Sequence, residues 1–259
     1  MILEALPSVG SGLLVGLTLG LIGGGGSILA TPLLLYLVGV SPPHVAIGTS
    51  ALAVSVNAFI NFGYHLRSGN VSWPCALVFG AIGTLGAIGG SSLGKATDGE
   101  SLMALFAGLM LVIAVLMLKP GKPSIMKGPF VTLRNCILAG FLALLAGLAS
   151  GFFGIGGGFL IVPALILATR MPIIEAIGSS LLAVGAFGLA TAINYSLSGL
   201  IDWRVAAEFL AGGILGGLIG TLLANHLSSY KNVLNRLFAG IIIIVACYML
   251  YRNAGALLA

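Results

Sequence analysis

A chain of 259 residues that is 59% hydrophobic and 7% charged, with a mean hydropathy of +1.17, stands far from soluble domains, which are about one quarter charged. It reads as an integral membrane protein, so its net charge of +5 is a matter of membrane topology rather than of nucleic-acid binding. Cys75, Cys136 and Cys247 are dispersed, with neither metal-ligand nor redox spacing, and no metal or cofactor is expected.

In chain order, the N-terminus offers Glu4 ahead of a long apolar run and lacks a basic n-region, so the first segment is expected to be retained. No Asp, Glu, Lys or Arg occurs between Glu4 and Arg67, nor over 68–94, 101–118, 135–169, 176–201, 209–230 and 237–251. A bilayer core takes about 20 helical residues, so each interval can enter or cross it. The expected embedded elements are 10–39, 45–67, 74–97 and 101–119, then 137–168, 174–198, 203–226 and 234–252. Between them lies a basic stretch with Lys119, Lys122, Lys127 and Arg134 among Pro120, Gly121, Pro123 and Pro129. That divides one transport domain into an N-terminal membrane repeat, 1–119, a basic cytoplasmic linker, 120–136, and a C-terminal membrane repeat, 137–259.

The halves are copies. GLIGGGGSILATP from Gly20 returns as GFFGIGGGFLIVP from Gly151; AIGTSAL from Ala46 returns as AIGSSLL from Ala176, and SGNVSW from Ser68 as SGLIDW from Ser198. The fold class expected is all-α and polytopic, with two internal repeats of four membrane-embedded helical elements, the first of each broken at a Gly run and stopped at Pro32 or Pro163. Glycine costs a helix interior about 1 kcal/mol against alanine, and such breaks persist in a bilayer only where the freed backbone is buried or lines a cavity. If each broken element crosses once the repeats are parallel; if it turns back as a hairpin they are inverted. Inversion leaves only Lys95, Arg204 and Arg252 opposite the other eight of 11 cations, a slightly stronger bias than the parallel arrangement gives, and is preferred. Glycines spaced by four, as at Gly12, Gly16 and Gly20, or Gly86, Gly90 and Gly94, are read as close helix packing.

Candidate chemistry lies at the breaks. Gly23, Gly24, Gly25, Gly26 and Ser27, with Gly154, Gly156, Gly157 and Gly158, would open a half-helix whose free N–H groups hold an anion without a buried cation. On the next element Thr49, Ser50, Asn57 and Asn61 share a face, and Ser179, Ser180, Thr191 and Asn194 take corresponding places in the second half. His65 and its counterpart Tyr195 are placed at the membrane interface, as is Glu208; Trp73 and Trp203 read as interface anchors. No nucleophile triad, HExxH or P-loop occurs, so an enzyme is not expected and no catalytic residues are assigned.

The paired glycine runs ending in Pro32 and Pro163, the AIGTS and AIGSS motifs and the Gly-Xaa-Xaa-Xaa-Trp steps at Gly69 and Gly199 resemble the TauE/SafE family of sulfite exporters over nearly the whole chain. The resemblance implies a multi-pass protein of the bacterial cytoplasmic membrane and secondary export of small sulfur-containing or organic anions, such as sulfite and sulfonates. The expected partners are that anion and the lipid bilayer, with oligomeric state left open. A passive anion channel is the alternative, and an intramembrane enzyme a more distant one. Asn57 opposite Phe187, and Ser27 opposite Gly158, mean that the two half-sites differ chemically.

Overall fold

The computed structural model describes residues 2–22, 24–118, 133–156, 158–169, 171, 173–226 and 231–253, and everything within them other than short loops is helical. The segments are α1 (Ile2–Ile22), α2, α3 (Pro43–Arg67), α4 (Trp73–Ala96), α5 (Gly99–Leu118), α6 (Leu133–Phe153), α7 (Gly158–Thr169), α8 (Ile173–Ser196), α9 (Trp203–His226) and α10 (Lys231–Asn253). Helix α2 is a composite, a 3-10 stretch Gly24–Leu29, an α turn Ala30–Pro32 and a π stretch Leu33–Val38. Among the described residues six helices are long and apolar enough to cross a bilayer. Leu85, Leu93, Leu105, Val115, Leu222 and Ile244 lie exposed on their outer faces, where lipid rather than water is the solvent.

The prolines do not stop their elements. Pro32 continues into the π stretch and Pro163 lies inside α7. A proline removes one N–H and crowds the carbonyl four residues back, so a helix held by its neighbours shifts its bonding pattern there rather than ending. The first element also starts earlier than its charge pattern suggests, since α1 reaches back past Glu4. The expected linker 120–136 lies outside the described residues up to 132, and its last residues begin α6.

Glycines set the packing. Gly12, Gly16 and Gly20 of α1 face Phe209, Gly213 and Gly217 of α9, and Gly147 and Gly151 of α6 face Gly83 and Ala87 of α4; in each case a Cβ would collide with the opposing backbone. Residue numbers rise together across both pairs, so α1 runs parallel to α9 and α6 parallel to α4. Helices α3 and α8 cross antiparallel: Gly48 faces Tyr195, the Ser55 hydroxyl donates to the Gly185 carbonyl at 2.7 Å, and Gly178 faces His65. After α1 the chain doubles back, because Gly26 packs on Thr18 and Leu19 and the rest of α2 also lies along α1. Helix α7 likewise returns along α6. Helices α5 and α10 pack together.

Two short loops tie the halves. Gly69 and Gly199 both have a left-handed backbone, at φ 71° and 69°, and terminate α3 and α8. The Ser72 N–H donates to the Ser179 hydroxyl at 2.9 Å, and the Asp202 N–H donates to the Thr49 hydroxyl at 3.0 Å. The AIGTS motif of one half thus holds the SGLIDW loop of the other, and AIGSS holds SGNVSW. On the side of α4's C-terminus, the Asp98 carboxylate accepts from the Glu100 and Ser101 N–H groups at the start of α5, and these bonds, Ser101 foremost, keep its pKa below the usual carboxylate value. Trp73 and Trp203 are both partly exposed at helix N-termini, and Glu208 pairs with Arg204 at 3.0 Å one turn into α9. Tyr195 differs from expectation. It is fully buried, drawn inward by its contact with Gly48 and its stacking near His44.

Gly147→Leu should lower the melting temperature of the solubilised protein by several degrees or prevent its isolation, whereas Gly108→Leu, where no atom stands within 4 Å of an added Cβ, should leave it nearly unchanged. Differential scanning fluorimetry in one detergent compares the two.

Candidate substrate site at the helix breaks

The second break reaches the centre of the molecule. Gly154 and Gly156 adopt φ of 67° and 68°, a left-handed backbone that a side chain would strain, and the Ile155 N–H closes the turn on the Ser150 carbonyl at 3.2 Å. Gly156 is wedged between Val54 of α3 and Val184 of α8, so that an added Cβ would lie 3.0 and 3.1 Å from their methyl groups. Helix α7 then begins at the buried Gly158, its first N–H groups free of helical partners. Gly24, Gly25, Gly26 and Ser27 open α2 in the same way, with Gly26 and Ser27 buried. Gly23 and Gly157 lie outside the described residues.

Ser50 links α2 to the second break. Its hydroxyl lies 2.8 Å from that of Thr31 in α2 and donates to the carbonyls of Ile47, at 2.9 Å, and Gly154, at 3.3 Å. Thr31 was not singled out from sequence; its place beside Pro32, with the apolar Val162 as counterpart, was the available signal. On the same face of α3, one turn beyond Val54, Asn57 is 1% exposed and neither its amide nitrogen nor its oxygen has a partner. Asn61, one turn further, donates to the Asn57 carbonyl at 2.9 Å and accepts from Thr221 at 3.3 Å. Across the crossing, Thr191 is fully buried with an unpartnered hydroxyl, and Ser180 donates to the Ile177 carbonyl at 2.8 Å.

The remaining residues go elsewhere. Thr49 and Ser179 are spent on the loop ties described above. Asn194 is engaged towards α4: its side-chain oxygen and backbone carbonyl accept from the Lys95 ammonium at 2.7 and 3.0 Å, and its amide donates to Ser91 and Ser92. Lys95 also reaches the Ser198 hydroxyl at 2.9 Å, so this cation has three acceptors, all neutral. A groove of about 510 Å³ beside Asn194, between Phe59, Ile88, Leu189 and Ile193, is almost wholly apolar and suits hydrocarbon rather than an anion.

The geometry defines a polytopic helical membrane protein with two interrupted helices, linked through Ser50, an arrangement found in transporters. The family model described as "Sulfite exporter TauE/SafE" matches residues 8–249. The chain is 56% identical over 256 residues to a "Probable membrane transporter protein" of Xylella fastidiosa strain Temecula1, covering 98% of each. It is 26% identical over 263 residues to "Probable membrane transporter protein YunE" of Bacillus subtilis strain 168, covering 93% of this chain and 96% of the relative. No solved structure gives a significant match. The protein belongs to the TauE/SafE family, multi-pass transporters of small anions rather than enzymes.

Thr49→Val and Ser179→Ala each strand one loop N–H, and each should destabilise the protein by about 1–3 kcal/mol while leaving anion-induced stabilisation in place. Thermal melts with and without sulfite separate the two effects.

Proposed function

We propose that the protein is a secondary carrier exporting small sulfur-containing or organic anions, such as sulfite or sulfonates, by alternating access between two inverted repeats. The observation that carries this reading is the wedging of the Gly154–Gly156 turn between Val54 and Val184, at the crossing of corresponding helices from the two halves. The antiparallel course of α3 and α8, the parallel pairs α1 with α9 and α6 with α4, and the return of α2 along α1 all support hairpins and inversion over parallel repeats. Each half then contributes one hairpin and three crossings, and movement of the hairpins against the interlocked helices would expose a central site to either side. The linker 120–136 and most of the cations would face the cytoplasm.

The substrate-binding set in this reading is the breaks, Gly23 to Ser27 and Gly154 to Gly158, with Ser50, Asn57, Asn61, Ser180 and Thr191 around them. Thr49, Ser179 and Asn194 would act by holding that frame. No Walker motif supplies nucleotide energy, so transport would draw on gradients.

Vesicles preloaded with unlabelled sulfite should transiently accumulate labelled sulfite above equilibrium; simple equilibration would instead identify a passive channel, and chemically altered sulfite an enzyme. Anion at 100 times its Kd should stabilise the native state by about 2.7 kcal/mol. Gly156→Leu should abolish that stabilisation, and unchanged stabilisation in a folded variant would remove the breaks from the site.

A further inference from the structure

Lys95 stands where α4 and α8 end together, and it binds α8 without meeting a counter-ion. Its ammonium donates to the side-chain oxygen and backbone carbonyl of Asn194 and to the Ser198 hydroxyl, and among the described residues no carboxylate pairs with it. The Asp98 carboxylate, three residues on, is taken by the N–H groups of Glu100 and Ser101. Three neutral acceptors occupy the hydrogens of an ammonium but leave its charge uncompensated. The corresponding helix of the other half does without this cation: Gly86 and Gly90 of α4 recur as Gly216 and Gly220 of α9, and in that register Asn225 takes the place of Lys95.

Hydrocarbon space lies beside this cation. The apolar groove of about 510 Å³ follows α8 from Ala186 to Leu197, with Ile88 of α4 on its other wall. At 1.5 Å per residue that stretch of α8 rises about 16 Å, roughly half of a ~30 Å hydrocarbon core and so the depth that one acyl chain occupies. Ile88, Leu189, Ile193 and Leu197 are all exposed, so the groove opens on the lipid-facing surface. Gly83 faces Phe187, and Lys95 reaches Asn194 and Ser198, so α4 and α8 run parallel and end at the same face of the membrane. Asn194 belongs to both features: it lines the groove and it accepts from Lys95. A chain-shaped apolar space thus meets an uncompensated positive charge at the level of the lipid phosphates.

We propose that the α4–α8 groove is a seat for one anionic phospholipid, its phosphate against Lys95 and one acyl chain along Leu189, Ile193 and Leu197. A phosphate oxygen takes one ammonium N–H in place of the exposed Ser198 hydroxyl, and that hydroxyl donates its own proton to a second phosphate oxygen. Asn194 keeps the other two bonds and holds the ammonium at the head of the groove. A zwitterionic lipid has the chain but carries its own cation beside the phosphate, and free phosphate has the charge but no chain. Because α4 and α8 come from different halves, the bound lipid spans the junction between them on the outer surface, whatever solute the protein carries.

The test uses the full chain in a neutral detergent, with phosphatidylglycerol and phosphatidylcholine of the same acyl chains as probes and native mass spectrometry as the readout. Phosphatidylglycerol should be retained at about fivefold lower concentration than phosphatidylcholine, the preference that one cation near an anionic headgroup confers. Lys95→Gln should bring the two lipids to equal retention, and Ile193→Trp, which fills the groove, should weaken both. Arg252→Gln, at the end of α10, should keep the preference. Equal retention of the two lipids by the wild type overturns the proposal even if the variants do not fold. A folded Lys95→Gln that keeps the preference, or an Arg252→Gln that loses it, overturns the assignment to Lys95, and a folded Ile193→Trp that holds both lipids as before removes the groove. Displacement of phosphatidylglycerol by inorganic phosphate at equal concentration would make this a site for a free anion and overturn the lipid seat.

Discussion

Direct backbone contact between glycine-bearing helices is the constraint on which the rest depends. In lipid there is little hydrophobic gain from bringing two apolar helices together, so association relies on close van der Waals contact and on hydrogen bonds between helices. Helices α1 and α9, and α6 and α4, meet where a single added methyl would strike main chain. Each contact joins the first element of one half to the fourth helix of the other, so neither half can assemble its share of the core alone. The same contacts fix the depth of the two hairpins, because α1 and α6 are the arms from which the breaks hang.

The loop ties follow from that interlocking. A hydroxyl at Thr49 or Ser179 would cost α3 or α8 little by bonding within its own helix, but each instead receives an N–H from the opposite half. Buried N–H groups at the ends of helices must find acceptors, and in a bilayer water is not there to supply them. The recurrence of two separate motifs in each half has one physical cause: each motif is completed by the other's copy.

This also explains what the sequence could and could not disclose. Charge-free intervals marked the long helices, and the constant offset between glycine runs marked the duplication, because both are properties of residue order. Composition could not show that Pro32 and Pro163 lie within helices, since a proline's effect depends on whether neighbours hold the segment in place. Helical periodicity put Ser50, Asn57 and Asn61 on one face, and they share it. Periodicity says nothing about which partner reaches a side chain first: a loop N–H donates to Thr49 and to Ser179, and Lys95 donates to Asn194. The same holds for Tyr195: closeness to a segment end does not tell whether the ring meets lipid or, as here, a glycine across the bundle.

A centre without fixed charge has a kinetic consequence. A buried cation would hold an anion in a deep well, and each reorientation would then have to break that pairing or carry the cation along. Lys95, the one cation described with its ammonium among α8 acceptors, is bound to Asn194 and Ser198 towards the helix ends, away from Ser50, Asn57 and the Gly156 wedge. In the carrier proposed above, amides, hydroxyls and helix N-termini would give a shallower well, their hydrogen bonds being exchanged for water as the anion leaves. The Val54, Gly156 and Val184 contact is itself apolar, and the turn is tied to α3 through the Ser50 bond to the Gly154 carbonyl. Reorientation in the carrier proposed above would have to keep or re-form the bonds that join the halves elsewhere, from Ser55 to Gly185, Ser72 to Ser179 and Asp202 to Thr49, if its two orientations are to remain close in free energy.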